Sequence, residues 1–511
     1  MERFIVKHSD QILGRISCFD RILFKGYLPI SRPDSMETFL SRRNILLKDF
    51  KPLAQDCTAL LKAHAQETAR KAQRPFITLK ASARKEDEVR AIIERDGLTQ
   101  GLVCVLSAQE ASASFRLRYG EGSPRLAPCQ PRCKCLYFYY LDRLFGLLHV
   151  RIPTWFPFTI QVCMNGHNWL ARQMDRHGIA YTQVDNAFVR IADPKRAQRF
   201  ADRFVKRNFP RILEALARKV NPLLKDLLHG MEHYWVVDQA EYATDVLFKD
   251  RAALKPLYEK LREHATLCFS AEDVLTFLGR KLHGNFKGEV LNDARKRWQG
   301  TRVKHRMKGN WIKMYDKHGC VLRIETVVNH PREFRVRRLG KRQGEWVMAW
   351  YPMTKGVKNL YRYAEVSRSA NRAYLDALSV VDDPAQAYAL LDQVCRPAGP
   401  PARRRRGLNP LRKDDLNLFA AVLRGEHHIH GFSNRDVAAQ LPAPRAKDPR
   451  QRRRQSARVT RLLQLLHAHR LIAKIPRSRR WRVTLRGLTL MTAAIHLYHH
   501  DFPHSCAQHA A

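Results

Sequence analysis

The residues best suited to chemistry lie in a short run, Lys313-Met-Tyr315-Asp316-Lys317, followed after His318-Gly319-Cys320 by Val321-Leu-Arg323-Ile-Glu325. Polar side chains recur there inside an otherwise sound β-hairpin pattern. With a two-residue turn at His318-Gly319, Asp316, Arg323 and Glu325 share a face and Lys313 and Tyr315 take the other. With a three-residue turn, Lys313, Tyr315, Arg323 and Glu325 share one face. Arg323 and Glu325 lie together in either register, being two apart on one strand. A solvated sheet face with a cross-strand charge pair accounts for the same residues. A second tyrosine source is Tyr361-Arg-Tyr363-Ala-Glu365, on a helix after Lys355 and Lys358. A plain amphipathic helix with exposed tyrosines accounts for that stretch.

Two further clusters bear on metals. Glu232, His233, Asp238, Glu241 and Asp245 form the most acidic, histidine-bearing patch of residues 193–300. They suit either a divalent cation or a solvated helix face. Cys129, Cys133 and Cys135, with Cys163 and His149 or His167 within reach, offer thiols, but zinc takes four ligands, usually as two spaced pairs. No second pair is evident, so no metal ligands are assigned. The cofactor stays open, with Mg²⁺ or Mn²⁺ expected if the protein is a nuclease. The 11 cysteines are odd in number and mostly scattered, which suits reduced thiols.

Lys and Arg total 92 against 48 Asp and Glu, a formal net charge of +44. An excess of this size implies a polyanionic partner. DNA is the expected one and RNA the alternative, with a homo-oligomer left open. No basic amphipathic helix with a wide aromatic face occurs, no run of about eighteen apolar residues, and no apolar signal core at the start. The expectation is a cytoplasmic, nucleoid-associated protein with no membrane partner.

The elements that position these residues read as an α+β chain: an antiparallel or mixed sheet body with a helical insertion, then a C-terminal winged helix-turn-helix. Residues 1–73 read as mostly helical, although 19–26 also suits a strand carrying Asp20. Residues 74–192 read as an α/β sheet domain, 193–300 as helical, and 301–394 as a β-meander plus helices, ending in a helix over 382–394. Residues 395–413 form a basic, Pro/Gly-rich linker, and 414–500 the terminal module. The aromatics Tyr137, Phe138, Tyr139, Tyr140, Trp155, Phe156 and Phe158 suit a sheet core better than base stacking. Tyr139, Arg151 and Trp155 remain stacking candidates if one sheet face is open.

In the terminal module, Ser433 and Asp436 form a capping-box pattern. A leucine-bearing helix over 455–469 follows, then strands over 472–475 and 481–485. Helix, turn, helix and hairpin in that order resembles a winged helix-turn-helix, which implies duplex DNA contact. Arg454, Arg458 and Arg461 would lie on the recognition helix, and Arg477, Arg479, Arg480 and Arg482 on the wing. Residues 396–486 hold 24 Lys and Arg against 5 Asp and Glu, so nearly half of the net charge sits in under a fifth of the length.

The Lys313–Lys317 strand, its turn and the Arg323-x-Glu325 strand resemble a motif of phage and plasmid rolling-circle replication initiators. The resemblance covers about fifteen residues. It implies a metal-dependent nicking or strand-transfer enzyme with Tyr315 or Tyr363 as nucleophile, Asp316 and Glu325 beside the metal, and Lys313, Lys317 and Arg323 on the nucleic acid. That family's His-hydrophobe-His strand has no counterpart in the sheet, since His427-His428-Ile-His430 lies in the terminal module. Tyr361 and Tyr374 also stand as nucleophiles. As a whole the chain is similar to large basic proteins that accompany bacterial mobile elements. A non-enzymatic winged-helix regulator and a partner of a structured RNA are the rival expectations.

Overall fold

The computed structural model describes all residues except 80–83, 120–123, 268, 281–289, 298–299, 343, 380, 382–391, 401–403, 425–426, 428–430, 443–447 and 499–511. The expected helix over 382–394 lies mostly outside the described residues. The chain forms two units interleaved in sequence: residues 1–12, 248–324 and 369–511 make the first, and 13–247 and 325–368 the second. Helices and a large mixed sheet together give the α/β content.

The strands, in chain order, are β1 (Ile12–Tyr27), β2 (Phe76–Thr78), β3 (Gly101–Ala111), β4 (Ser114–Arg118), β5 (Arg125–Cys129), β6 (Arg132–Asp142), β7 (Gly146–Pro153), β8 (Ile160–Asn165), β9 (Tyr181–Val184), β10 (Ala187–Ile191), β11 (Tyr234–Phe248), β12 (Val290–Arg297), β13 (Gly300–Met307), β14 (Asn310–Lys317), β15 (Val321–Val328), β16 (Arg335–Arg342), β17 (Glu345–Pro352), β18 (Ile472–Lys474) and β19 (Trp481–Val483). In the second unit they run β15-β11-β1-β8-β7-β6-β3-β2. β1–β8, β8–β7, β7–β6 and β6–β3 pair antiparallel, and β2–β3 pair parallel. The parallel pair follows from its crossover helix, Lys85–Asp96, which Gly97 ends at φ +59. That helix buries Val89 and Ile92 against Val103, Leu106, Tyr137 and Tyr139.

Three strands correct the sequence reading. β1 occupies a stretch read mostly as helix, and β11 and β12 fall in a region read as helical throughout. β11 buries nearly every residue from Ala240 to Phe248. A strand covered on both faces loses the period-2 alternation that would reveal it. The aromatic segment is core: Tyr137, Phe138, Tyr139, Phe156 and Phe158 are all buried, and Arg151 is buried too.

In the first unit, β12, β13 and β14 pair in antiparallel succession. The turn between β14 and β15 takes three residues, with His318 and Gly319 at φ 55 and 76. Ser270 and Asp273 close a capping box on helix Ala271–Phe277. The C-terminal part has helix Lys413–Val422, helix Asn434–Ala438, helix Pro449–Ala468, the β18–β19 hairpin and helix Leu485–His496. Its core packs Leu416, Phe419, Phe432, Val437, Val459, Leu463, Leu466, Leu471 and Met491. No helix among the described residues is long and apolar enough to cross a membrane.

Candidate metal centre and nucleic-acid interface

Three neighbouring strands of the second unit each bring one buried carboxylate to a common point: Asp20 from β1, Glu241 from β11 and Glu325 from β15. One oxygen from each lies within 4.8 Å of the others, and among the described residues no other His, Cys, Asp or Glu group is arranged to hold a metal. Two ligands of a hard cation bound at about 2.1–2.4 Å stand roughly 3–5 Å apart, so the spacing fits Mg²⁺, Mn²⁺ or Ca²⁺ and the all-oxygen set fits their preference.

Asp20 and Glu241 are each held by neighbouring side chains. Asn165 caps helix Gly166–Arg176 by accepting from the His167 and Asn168 backbone N–H groups at 2.7 and 3.2 Å. Its amide nitrogen donates to Asp20 Oδ1 at 3.2 Å. One side chain therefore both starts the helix and orients the acid. Asn186 Nδ2 donates to Asp20 Oδ2 at 3.0 Å. The helix N-terminus also bears on this point. A Cβ on Gly166 would stand 2.3 Å from the Phe19 carbonyl oxygen, so only glycine allows the helix to close on the strand beside Asp20. The helix dipole there favours negative charge. The buried His167 ring lies between two acids, Nδ1 at 3.4 Å from Asp20 Oδ1 and Nε2 at 3.5 Å from Asp245 Oδ2. Arg21 pairs with Glu241 at 2.9 Å, and Lys25 with Asp238 at 2.8 Å.

Of the sequence-derived catalytic residues, only Glu325 enters this cluster. Tyr315 and Asp316 belong to the first unit, where Tyr315 is half-buried between Lys313 and Lys317, at 5.8 and 5.3 Å from its ring. Burial raises the Asp316 carboxyl above its usual range. Tyr363 corrects the expectation of an exposed nucleophile: it is fully buried, and burial pushes its phenol up. The solvated hairpin face is corrected as well. On β14, Lys313 and Lys317 are 7% and 5% exposed, and Arg323 is 0% exposed on β15, whose residues are covered on both faces. None of the three presents its charge to a phosphate backbone from there. From the acidic patch, only Glu241 joins the cluster. Glu232 and Asp238 stay outside it, Asp245 meets His167, and His233 pairs with Glu214 at 3.1 Å. Asp20 and Glu241 had a sequence signal, an acid inside an apolar, β-branched and aromatic run, but nothing that joined them. The thiols of Cys129, Cys133 and Cys135 form no ligand set; a hydrogen bond from Cys135 lowers the Cys133 thiol, and Arg151 Nη2 donates to Cys135 Sγ at 3.0 Å.

The C-terminal arginines behave differently. Arg454, Arg458 and Arg461 are exposed on helix Pro449–Ala468, while Val459, Leu463 and Leu466 turn inward. Arg477 and Arg479 are exposed in the β18–β19 turn. Arg480 is exposed, donates to the Gly431 carbonyl at 2.8 Å and lies 3.5 Å from Asp436. Arg482 is half-buried and ion-paired with Glu272, so it is committed inside the unit. Phe432 forms an isolated bridge to Trp481 through two backbone bonds of 2.8 and 2.7 Å, beside the two-stranded hairpin. The capping box between Ser433 and Asp436 is formed.

No protein-family model, curated protein or solved structure matches this chain.

Proposed function

We propose that the protein is a metal-dependent nuclease or strand-transfer enzyme acting on nucleic acid, with Asp20, Glu241 and Glu325 as the cation ligands. The observation that carries this is the convergence of three buried carboxylates, within 4.8 Å, in a chain of net charge +44. Like charges so close repel one another, and a cation among them removes that repulsion. A bound divalent cation supplies Lewis acidity toward a phosphodiester oxygen and a nucleophilic water near neutral pH. The chain's own residues fix the geometry: Asn165 and Asn186 orient Asp20, Arg21 holds Glu241, and His167 stands between Asp20 and Asp245 where a proton can be held. With Tyr363 buried, the second unit favours attack by water or a polynucleotide hydroxyl over a phosphotyrosine intermediate. This keeps the metal chemistry implied by the initiator resemblance and replaces its nucleophile.

The C-terminal module is proposed as a winged helix addressing duplex DNA. Supporting this are its element order, the Phe432 bridge to the hairpin, and the exposed Arg454, Arg458 and Arg461 on the helix with Arg477 and Arg479 at the hairpin turn. A mobile element or replicon, where sequence address and strand cleavage are needed in one chain, is the proposed setting.

The test is cleavage of supercoiled plasmid and of single-stranded DNA and RNA with Mg²⁺ or Mn²⁺. Cleavage should vanish in Asp20→Asn, Glu241→Gln and Glu325→Gln while duplex binding persists. Cleavage that survives all three substitutions, or none with any substrate, removes the enzymatic reading and leaves a non-enzymatic DNA-binding regulator.

A further inference from the structure

The β16–β17 ribbon of the second unit carries an exposed face that the proposed metal centre does not use. Its register places Arg337 opposite Trp350, Leu339 opposite Met348, and Lys341 opposite Trp346. These six side chains alternate with the opposite face, where Tyr351 packs over Gly340 and Arg338 stacks on the Tyr351 ring at 5.0 Å. The first face is open to solvent: Trp346 is 64% exposed, Trp350 63%, Met348 53% and Leu339 51%. Two tryptophans this exposed on one short ribbon are costly to leave bare and mark a contact surface. The two strands carry five cations, Arg335, Arg337, Arg338, Lys341 and Arg342, against one carboxylate, Glu345. The Lys341 ammonium stands over the Trp346 ring at 5.9 Å.

We propose that the β16–β17 ribbon is a binding platform for single-stranded nucleic acid, with Trp346 and Trp350 stacking on unpaired bases and Arg337 and Lys341 holding the phosphates between them. The proposal extends the nucleic-acid reading above by naming the form of substrate. Its chemistry selects that form. Ring faces are accessible on unpaired bases and hidden in a duplex, and stacking tolerates any base because every base has a π-face. Four residues along a strand separate the two indoles by about 13 Å. That is too far to clamp one base and suits two bases of an unstacked strand. Charge sets the partner class. Cations lie directly across from both rings, a pattern complementary to alternating base and phosphate. Five cations against one carboxylate suit a polyanion, and they disfavour a second copy of this chain, whose net charge is +44.

The experiment measures binding of the full chain to fluorescein-labelled oligo-dT and to a hairpin duplex of equal charge, by anisotropy, in EDTA. Chelation stops any cleavage, so a failure here is separate from a failure of the metal centre. Trp346→Ala and Trp350→Ala should each weaken oligo-dT binding by about tenfold or more, and phenylalanine at either position should restore most of it. Duplex binding should be unchanged. Arg337→Ala and Lys341→Ala should each reduce the slope of log affinity against log salt by about one. Unchanged oligo-dT affinity in a Trp346→Ala/Trp350→Ala variant that melts like wild type overturns the proposal. So does loss of self-association by light scattering, or loss of anionic-vesicle binding, with oligo-dT binding intact.

Discussion

Neutralising one acid of the cluster should stabilise the protein in chelator and remove its response to divalent cations. One oxygen from each of Asp20, Glu241 and Glu325 lies within 4.8 Å of the others, and at an effective dielectric constant of about 20 two unit charges at that distance repel by about 3.5 kcal/mol. Glu325→Gln keeps the side chain's shape and removes its share of that repulsion. Arg21, paired with Glu241 but half-exposed, already offsets part of it, and Glu325 gives up hydrogen-bond strength. A net gain of about 1–3 kcal/mol in EDTA is expected, or roughly 3–10 °C in Tm for a unit of this size. Wild type should move the other way. Mg²⁺ or Mn²⁺ at about a hundred times its Kd should add about 2.7 kcal/mol, and the variant should gain little. The assay is thermal unfolding in EDTA, Mg²⁺ and Mn²⁺ for both proteins. A wild-type Tm indifferent to both cations, together with a variant that melts lower than wild type in EDTA, would refute the cation site. The three acids would then be held by protons and neighbouring donors.

Gly166→Ala should lower both Tm and cation affinity, because its Cβ would meet the Phe19 carbonyl oxygen at 2.3 Å and overpacking there costs about 1–3 kcal/mol while displacing Asp20; calorimetric Mn²⁺ titration checks the second effect. His305 in the first unit donates from Nδ1 to Asn292 Oδ1 at 2.7 Å and accepts from the Tyr374 hydroxyl at 2.9 Å, and burial lowers its pKa to about 4. The unfolded chain, with a pKa near 6.5, binds that proton more tightly, so the stability is present above about pH 6.5 and lost as pH falls toward 4, up to about 3 kcal/mol. Urea melts at pH 7, 5.5 and 4.5 should show this loss in wild type and a flatter profile in His305→Gln.

Local rules carried part of the architecture. The capping boxes at Ser270–Asp273 and Ser433–Asp436 form as their spacing predicts, as does the helix ended by Gly97. The Tyr315–Glu325 hairpin, the Lys85–Asp96 helix and the terminal helix–hairpin order were legible for the same reason: each is set by residues a few positions apart. β11 was not, because its burial on both faces removes alternation, and Glu241 was therefore placed in a helical region.

The sequence by itself determined a strongly basic chain of mixed helix and strand, the short-range caps and turns, and the arginine-rich character of the C-terminal part. Only the tertiary structure decided which acids meet. Asp20, Glu241 and Glu325 meet because β1, β11 and β15 are neighbours in one sheet, an order fixed by the burial and pairing of whole strands. The same folding covered Arg323 and Tyr363, which looked available in the sequence, and left Trp346 and Trp350 bare. A residue's type sets what chemistry it can do; the packing around it sets whether anything can reach it.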